Sequence, residues 1–154
     1  MVVVERESVA AASASTIWNA CFRDMRWESW DEDVARMENV DAAAGLVEGA
    51  TATFVMKEGS GGFQLPIRAV DVAENRAFTF RGTKAGGALG FTGTIQLEER
   101  GAGKTLIRYS FSMHGLIGGP FSWFNRKACV DGTETGLANI VRLSEEAENN
   151  RATE

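Results

Sequence analysis

From Gly49 to His114 the chain alternates apolar and polar residues in run after run, and each run stops at a short turn. Side chains on a strand point to opposite faces in turn, so alternation marks strands with one face for a core and one for water. Phe91, Ile95 and Leu97 fall on one face, and Thr92, Thr94, Gln96 and Glu98 on the other. In the last run Ile107, Tyr109, Phe111 and Met113 point inward, while Arg108, Ser110, Ser112 and His114 point outward. Turns as short as Gly59-Ser60-Gly61-Gly62 and Gly101-Ala102-Gly103 join only antiparallel neighbours. A meander of this kind must have its apolar face covered. The cover available is the segment Pro120 to Ala147, which reads as one long helix. The fold class that follows is α+β, a sheet layered against a helix.

The remaining elements fit around that pair. Val2 to Ala10 reads as a strand, and Ser13 as the N-cap of a short helix whose apolar face is Ile17, Trp18, Cys21 and Phe22. Trp27 to Asp31 is a second short helix or a tight loop, and Asp33 to Ala42 a weaker strand. Pro66, inside the run Phe63 to Val72, predicts an edge strand or a bulge. The expected sheet has about six or seven strands, with two short helices after the first. With no linker and no internal repeat, the reading is one domain over 1–148 and a polar tail, 149–154, that frays.

Composition narrows the functions. A net charge of −5 lacks the clustered Lys and Arg of a nucleic-acid surface. Cys21 and Cys129 stand far apart without companion histidines, against a disulfide framework or a zinc site. No metal and no cofactor is expected. No window has the length and apolarity of a membrane span, and the start shows no secretory leader, so a cytoplasmic location is expected.

The long helix carries the functional hint. At three- and four-residue spacing one stripe runs Phe121, Asn125, Ala128, Gly132, Gly136, Asn139, Leu143. Each interior glycine costs up to about 1 kcal/mol relative to alanine. Such a cost implies close approach of another backbone, or space left open beneath the helix for a small molecule. A second stripe, Trp123, Val130, Leu137 and Val141, is full-sized and suits gripping the sheet.

Several segments resemble one known family. Ala14-Ser15-Thr16-Ile17-Trp18 resembles its first-helix entry, and Trp27-Glu28-Ser29-Trp30 the Trp-containing stretch that follows. Gly49 resembles the glycine opening its third strand, and Gly101-Ala102-Gly103-Lys104-Thr105 the turn before its last strand. Val141-Arg142-Leu143-Ser144-Glu145-Glu146-Ala147 resembles its C-terminal helix. These are similar to the Bet v 1-like, START-related (SRPBCC) superfamily, and within it to the polyketide cyclase/dehydrase group. The resemblance implies a helix-grip fold, a curved antiparallel sheet wrapped around the C-terminal helix. It implies a ligand cavity, a cyclase or dehydratase acting there without metal, or a module that meets a chaperone or ribosome.

The expected partner is a small hydrophobic or aromatic molecule, bound by a monomer or homodimer. Phe54, Met56, Phe80, Phe91, Tyr109 and Met113 can converge on one volume beneath Ala128, Gly132 and Gly136. Trp27, Trp30 and Trp123 sit near element ends, where aromatics either hold a flat ligand or pack in the core. Asn125 and Tyr109 are polar groups that could orient a ligand. Tyr109 and His114, the single tyrosine and histidine, are the candidate acid and base of an enzyme. Met56, Met113 and Cys129 suit an adaptable apolar wall. The run Asp31-Glu32-Asp33 reads as a solvated loop rather than a metal site.

Overall fold

The computed structural model describes residues 2–84, 86–115 and 126–153. Strand β1 (Val2–Ala10) leads into helix α1 (Ala14–Ile17), which widens into one π turn over Trp18–Phe22. A 3₁₀ turn at Trp27–Ser29 precedes β2 (Val34–Glu38) and β3 (Thr51–Met56), and another, Glu58–Ser60, follows them. Then come β4 (Gln64–Ala73), β5 (Ala77–Lys84), β6 (Leu89–Glu99) and β7 (Thr105–His114), and finally helix α2 (Arg126–Ala152).

The seven strands form one antiparallel sheet in the order β1-β7-β6-β5-β4-β3-β2. The chain therefore crosses from one edge to the other between β1 and β2, and along residues 11–33 the apolar side chains of that crossing enter the core. Ser13 caps α1 as its position implies, its Oγ accepting from the Thr16 amide at 3.2 Å. The face Ile17, Trp18, Cys21, Phe22 is buried. At the end of the helix the Cys21 and Phe22 carbonyls accept from the Trp30 and Trp27 indoles at 3.0 and 3.2 Å, and the Phe22 carbonyl also takes the Met25 amide at 3.1 Å. Trp27 stacks on Phe78 at 5.3 Å, and Trp18 meets the same ring edge-on at 5.7 Å. Burying each ring contributes roughly 2–3 kcal/mol.

Two expectations change. Pro66 is in neither an edge strand nor a bulge: β4 lies between β3 and β5, and its register shift falls between Val70 and Ala73. The β4–β5 pairing extends only from Ile67↔Gly82 to Ala73↔Ala77, so the proline, which has no N–H to give, sits just beyond the ladder. The long helix does not end at Ala147, because α2 continues to Ala152. That end is tied over the β1–α1 corner: the Ala11 amide donates to Glu145 and the Ser13 amide to Glu148, both at 2.8 Å, and Arg151 donates to Thr16 Oγ1 at 3.3 Å.

The buried side of α2 is Thr133, Gly136, Leu137, Ile140 and Ser144. The full-sized stripe thus grips through Leu137, with Val130 and Val141 only half-buried. Thr133 is buried without cost to its hydroxyl, which donates to the Cys129 carbonyl one turn back at 2.8 Å.

Candidate functional site

The first turns of α2 stand over the open ends of β3, β4, β6 and β7, and between them lies a cavity of about 530 Å³. Its apolar wall is Phe54, Phe80, Phe91 and Phe111, with Met56, Met113 and Leu65. Two of these rings lie flat across their neighbours. Phe80 pairs with Gly93 and Phe91 with Gly82 across β5 and β6. A Cβ at Gly93 would come within 2.1 Å of Phe80, and one at Gly82 within 2.4 Å of Phe91, so each ring occupies space that only glycine leaves.

One end of the cavity is polar. Asp31 and Asp33 line it together with Ser60, Tyr109, Cys129 and Thr133. Asp31 Oδ1 accepts from the Asp33 amide at 3.1 Å, the local turn that makes Asp a loop residue. Asp33 Oδ1 accepts from Ser60 Oγ at 2.8 Å. The Lys57 amide donates to the Asp33 carbonyl at 2.9 Å, so the loop before β2 and the turn after β3 hold one another. Asp33 Oδ2 faces α2, and a Cβ on Gly132 would stand 3.0 Å from it.

These groups are electrostatically strained. Burial pushes the Asp31 carboxyl from 3.8 up to about 6, with the Asp33 charge adding to the shift and the Asp33 amide and Lys57 opposing it. Burial raises the Tyr109 phenol well above its usual range, and Asp31 and Asp33 raise it further. Burial and then Asp33 also raise the Cys129 thiol, which is therefore neutral at pH 7 and a poor nucleophile.

The expected site residues divide. Phe54, Met56, Phe80, Phe91, Tyr109, Met113, Ala128 and Gly132 line the cavity. Trp27 and Trp30 do not: at 0% and 1% exposure they are core, backing the rings that do. Trp27 meets Phe80 at 5.5 Å and Phe54 at 5.9 Å, and Trp30 meets Tyr109 edge-on at 5.8 Å. Gly136 is also outside the lining. A Cβ there would touch Tyr109 at 3.5 Å and Trp30 at 3.6 Å, so this glycine serves close packing. The light stripe is thus split, with Ala128 and Gly132 on the cavity and Gly136 on the core. Asn139 donates from it to the Trp30 carbonyl at 3.1 Å. Trp123 and Asn125 lie outside the described residues.

His114 keeps its outward parity. Its ring covers Gly90 and approaches the Thr92 hydroxyl at 3.4 Å, so Tyr109 and His114 do not converge on the cavity. The acidic run is not a solvated loop: Glu32 is exposed, but Asp31 and Asp33 face the cavity. Sequence reasoning missed them because a charge run ordinarily marks solvent. Both lie in the turn that precedes β2, where Asp31 takes the Asp33 amide, and no spacing rule along the chain announces that such a turn aims its carboxylates inward. Among the described residues no group of three His, Cys, Asp or Glu is placed to hold a metal, and no helix is long and apolar enough to cross a membrane.

Comparison with known proteins agrees with this architecture. The sequence matches the family model described as polyketide cyclase / dehydrase and lipid transport over residues 1–145. No curated protein matches it. Similar solved structures include a hypothetical protein from Helicobacter pylori, at 14% identity, covering 93% of this chain and 88% of that one with a TM-score of 0.76. The di-domain ARO/CYC BexL of the BE-7585A biosynthetic pathway has 12% identity, 94% coverage of this chain and 47% of its own, and a TM-score of 0.68. Norcoclaurine synthase from Thalictrum flavum has 15% identity, 94% and 84% coverage, and a TM-score of 0.64. Likeness at these identities speaks for the fold, a curved seven-stranded sheet closed by a C-terminal helix. With that fold and a family match over nearly its whole length, the chain belongs to the polyketide cyclase / dehydrase and lipid transport family.

Proposed function

We propose that the protein binds one small hydrophobic or aromatic molecule in the cavity between the sheet and α2. The observation that carries this reading is the cavity itself, about 530 Å³ of space walled by phenylalanine and methionine. That volume lies within the usual range for small-molecule sites, which are mostly apolar with a few placed polar groups. Burial of the ligand's apolar surface supplies the affinity, and the polar end sets its orientation. A ligand of about 20 heavy atoms, at roughly 0.3 kcal/mol each, binds with a Kd of tens of micromolar.

The test is a Nile red titration of the wild type and of Ala128→Trp. Ala128 lies at the rim of the cavity on an exposed helix position, so an indole there blocks the entrance without disturbing the core. The wild type should show saturable one-site fluorescence, and the variant at least tenfold weaker binding with an unchanged thermal melt. Absence of binding to the wild type, or equal binding to both, would sink the reading. Native mass spectrometry of the purified protein would then identify any small molecule carried with it.

One observation favours a second reading, a cyclase- or dehydratase-type enzyme. Such chemistry removes a proton next to a carbonyl and stabilises an enolate. Asp31, with its proton exchanging at about pH 6, lies in the apolar cavity close enough to Tyr109 to shift it. In this reading Asp31 takes the role of base that sequence reasoning gave to His114. A pH–rate profile on a poly-β-ketone with a limb near 6, lost in Asp31→Asn, supports it; turnover untouched in that variant refutes it.

A further inference from the structure

We propose that the cavity selects a ligand with a cationic amine at one end, held between Asp31, Asp33 and Tyr109. This rests on the binding function above and names the class of molecule that function takes. Its first support is the charge of the lining. Asp31 and Asp33 both face the cavity, and no Lys, Arg or His lines it among the described residues. The segment 116–125, Leu-Ile-Gly-Gly-Pro-Phe-Ser-Trp-Phe-Asn, contains no basic residue either. Neither aspartate has an ion-pair partner among the described residues.

The second support is geometric. Ser60 fixes one oxygen of Asp33, which leaves Oδ2 against Gly132 with no side chain between it and the helix. Tyr109 is 4% exposed and lines the same cavity, and among the described residues its hydroxyl has no hydrogen-bond partner. A buried phenol ordinarily finds a partner. An ammonium has three donors and no acceptor, and the two carboxylates and the phenol oxygen offer acceptors for them. Carboxylates in an apolar surrounding attract a cation far more strongly than in water. The same arrangement repels a carboxylate or phosphate head group. Phe91 and Phe111, stacked at 6.4 Å, then receive the aromatic or alkyl body.

The titration of Asp31 gives this preference a pH dependence. Asp31 is largely neutral at pH 5 and ionised at pH 7.5. The other charges acting on it are Asp33, Glu32 and Lys57, and Cys129 faces Asp33 as a neutral thiol.

The test is a matched set of probes of one shape: 2-(1-naphthyl)ethylamine, 2-(1-naphthyl)ethanol and 1-naphthylacetate, by isothermal titration calorimetry. At pH 7.5 the amine should bind at least tenfold tighter than the alcohol, and the alcohol tighter than the carboxylate. Asp31→Asn and Asp33→Asn should each bring the amine at least threefold towards the alcohol, whose own affinity stays within twofold. In the wild type, which needs no variant to fold, the amine-to-alcohol ratio should fall severalfold from pH 7.5 to pH 5. An amine no tighter than the alcohol, or a carboxylate that binds best, overturns this inference while Nile red binding keeps the cavity reading intact. Failure of Nile red and all three probes together overturns both.

Discussion

Alanine at Gly132 and at Gly136, one at a time, separates the two roles that the light stripe of α2 combines. Both are interior helix positions with no positive φ, so each substitution gains up to about 1 kcal/mol of helix propensity. At Gly136 the new methyl would rest at 3.5 Å from Tyr109 and 3.6 Å from Trp30, ordinary contact distances. It fills buried space and adds about 0.8 kcal/mol. Gly136→Ala should therefore stabilise by about 1–2 kcal/mol, or roughly 2–8 °C in Tm for a chain of this size. At Gly132 the methyl meets Asp33 Oδ2 at 3.0 Å, and that carboxylate is pinned from its other side by Ser60. The oxygen must give by a few tenths of an ångström, loosening a charge-assisted hydrogen bond that contributes about 1.5–3 kcal/mol. Losing half of it cancels the helix gain, so Gly132→Ala should be neutral to about 1 kcal/mol destabilising. Urea denaturation followed by circular dichroism measures both, and a cycle with Ser60→Ala isolates the coupling. If Gly132→Ala stabilises as much as Gly136→Ala, Asp33 does not press on the helix, and the polar end of the cavity is wrongly drawn.

Two further outcomes test the electrostatics of the same region. Asp31 has a folded pKa of about 6 against an ordinary 3.8, so between these values the folded state holds more protons and stability falls as pH rises. Asp31→Asn, which keeps the acceptor for the Asp33 amide, should stabilise above pH 6 by at most about 3 kcal/mol and by nothing below about pH 4. Melts across pH 4–8 check this, and a gain independent of pH would contradict it. The two thiols should differ in reactivity: burial pushes buried Cys21 up to about 11, whereas Cys129 is half-exposed on the cavity wall. Iodoacetamide at pH 8 should label Cys129 alone in the native protein, more slowly with Nile red bound. Equal labelling of both, read by peptide mass spectrometry, would refute the placement of Cys129.

The strands were legible because their signal is local. Alternation from Phe91 to Glu99 and from Thr105 to His114 assigns faces without knowledge of any partner, and the structure keeps those faces, with Ile95, Ile107 and Tyr109 buried. Ser13 was legible for the same reason, since a cap bonds within its own turn. The helix at 149–152 was not, because those polar residues are held by the tie of Arg151, and of Glu145 and Glu148 just before them, to the chain's first corner. Pro66 misled for a similar reason: it pairs with Thr53 on the β3 side, and on the β5 side, where a donor would be missed, the ladder stops at Ile67.

The candidate site shows the same division more sharply. Phe54, Phe80, Phe91 and Met113 could be placed on a common inward face by counting in twos. Nothing in a window around Trp27 tells whether it lines a cavity or backs one. That depends on Phe78, from a distant strand, stacking upon it. Likewise Asp31 and Asp33 read as solvent-facing until Ser60, Tyr109 and Gly132 are brought round them. By itself the sequence determined the period-two faces, the covering helix and the small residues on one side of it, since each follows from spacing along the chain. Only the tertiary structure decided that Gly136 packs while Gly132 opens onto a carboxylate, and that two acids lie against an apolar cavity. Burial and electrostatic neighbourhood are set by through-space contacts between segments up to about a hundred residues apart, and no local pattern carries them.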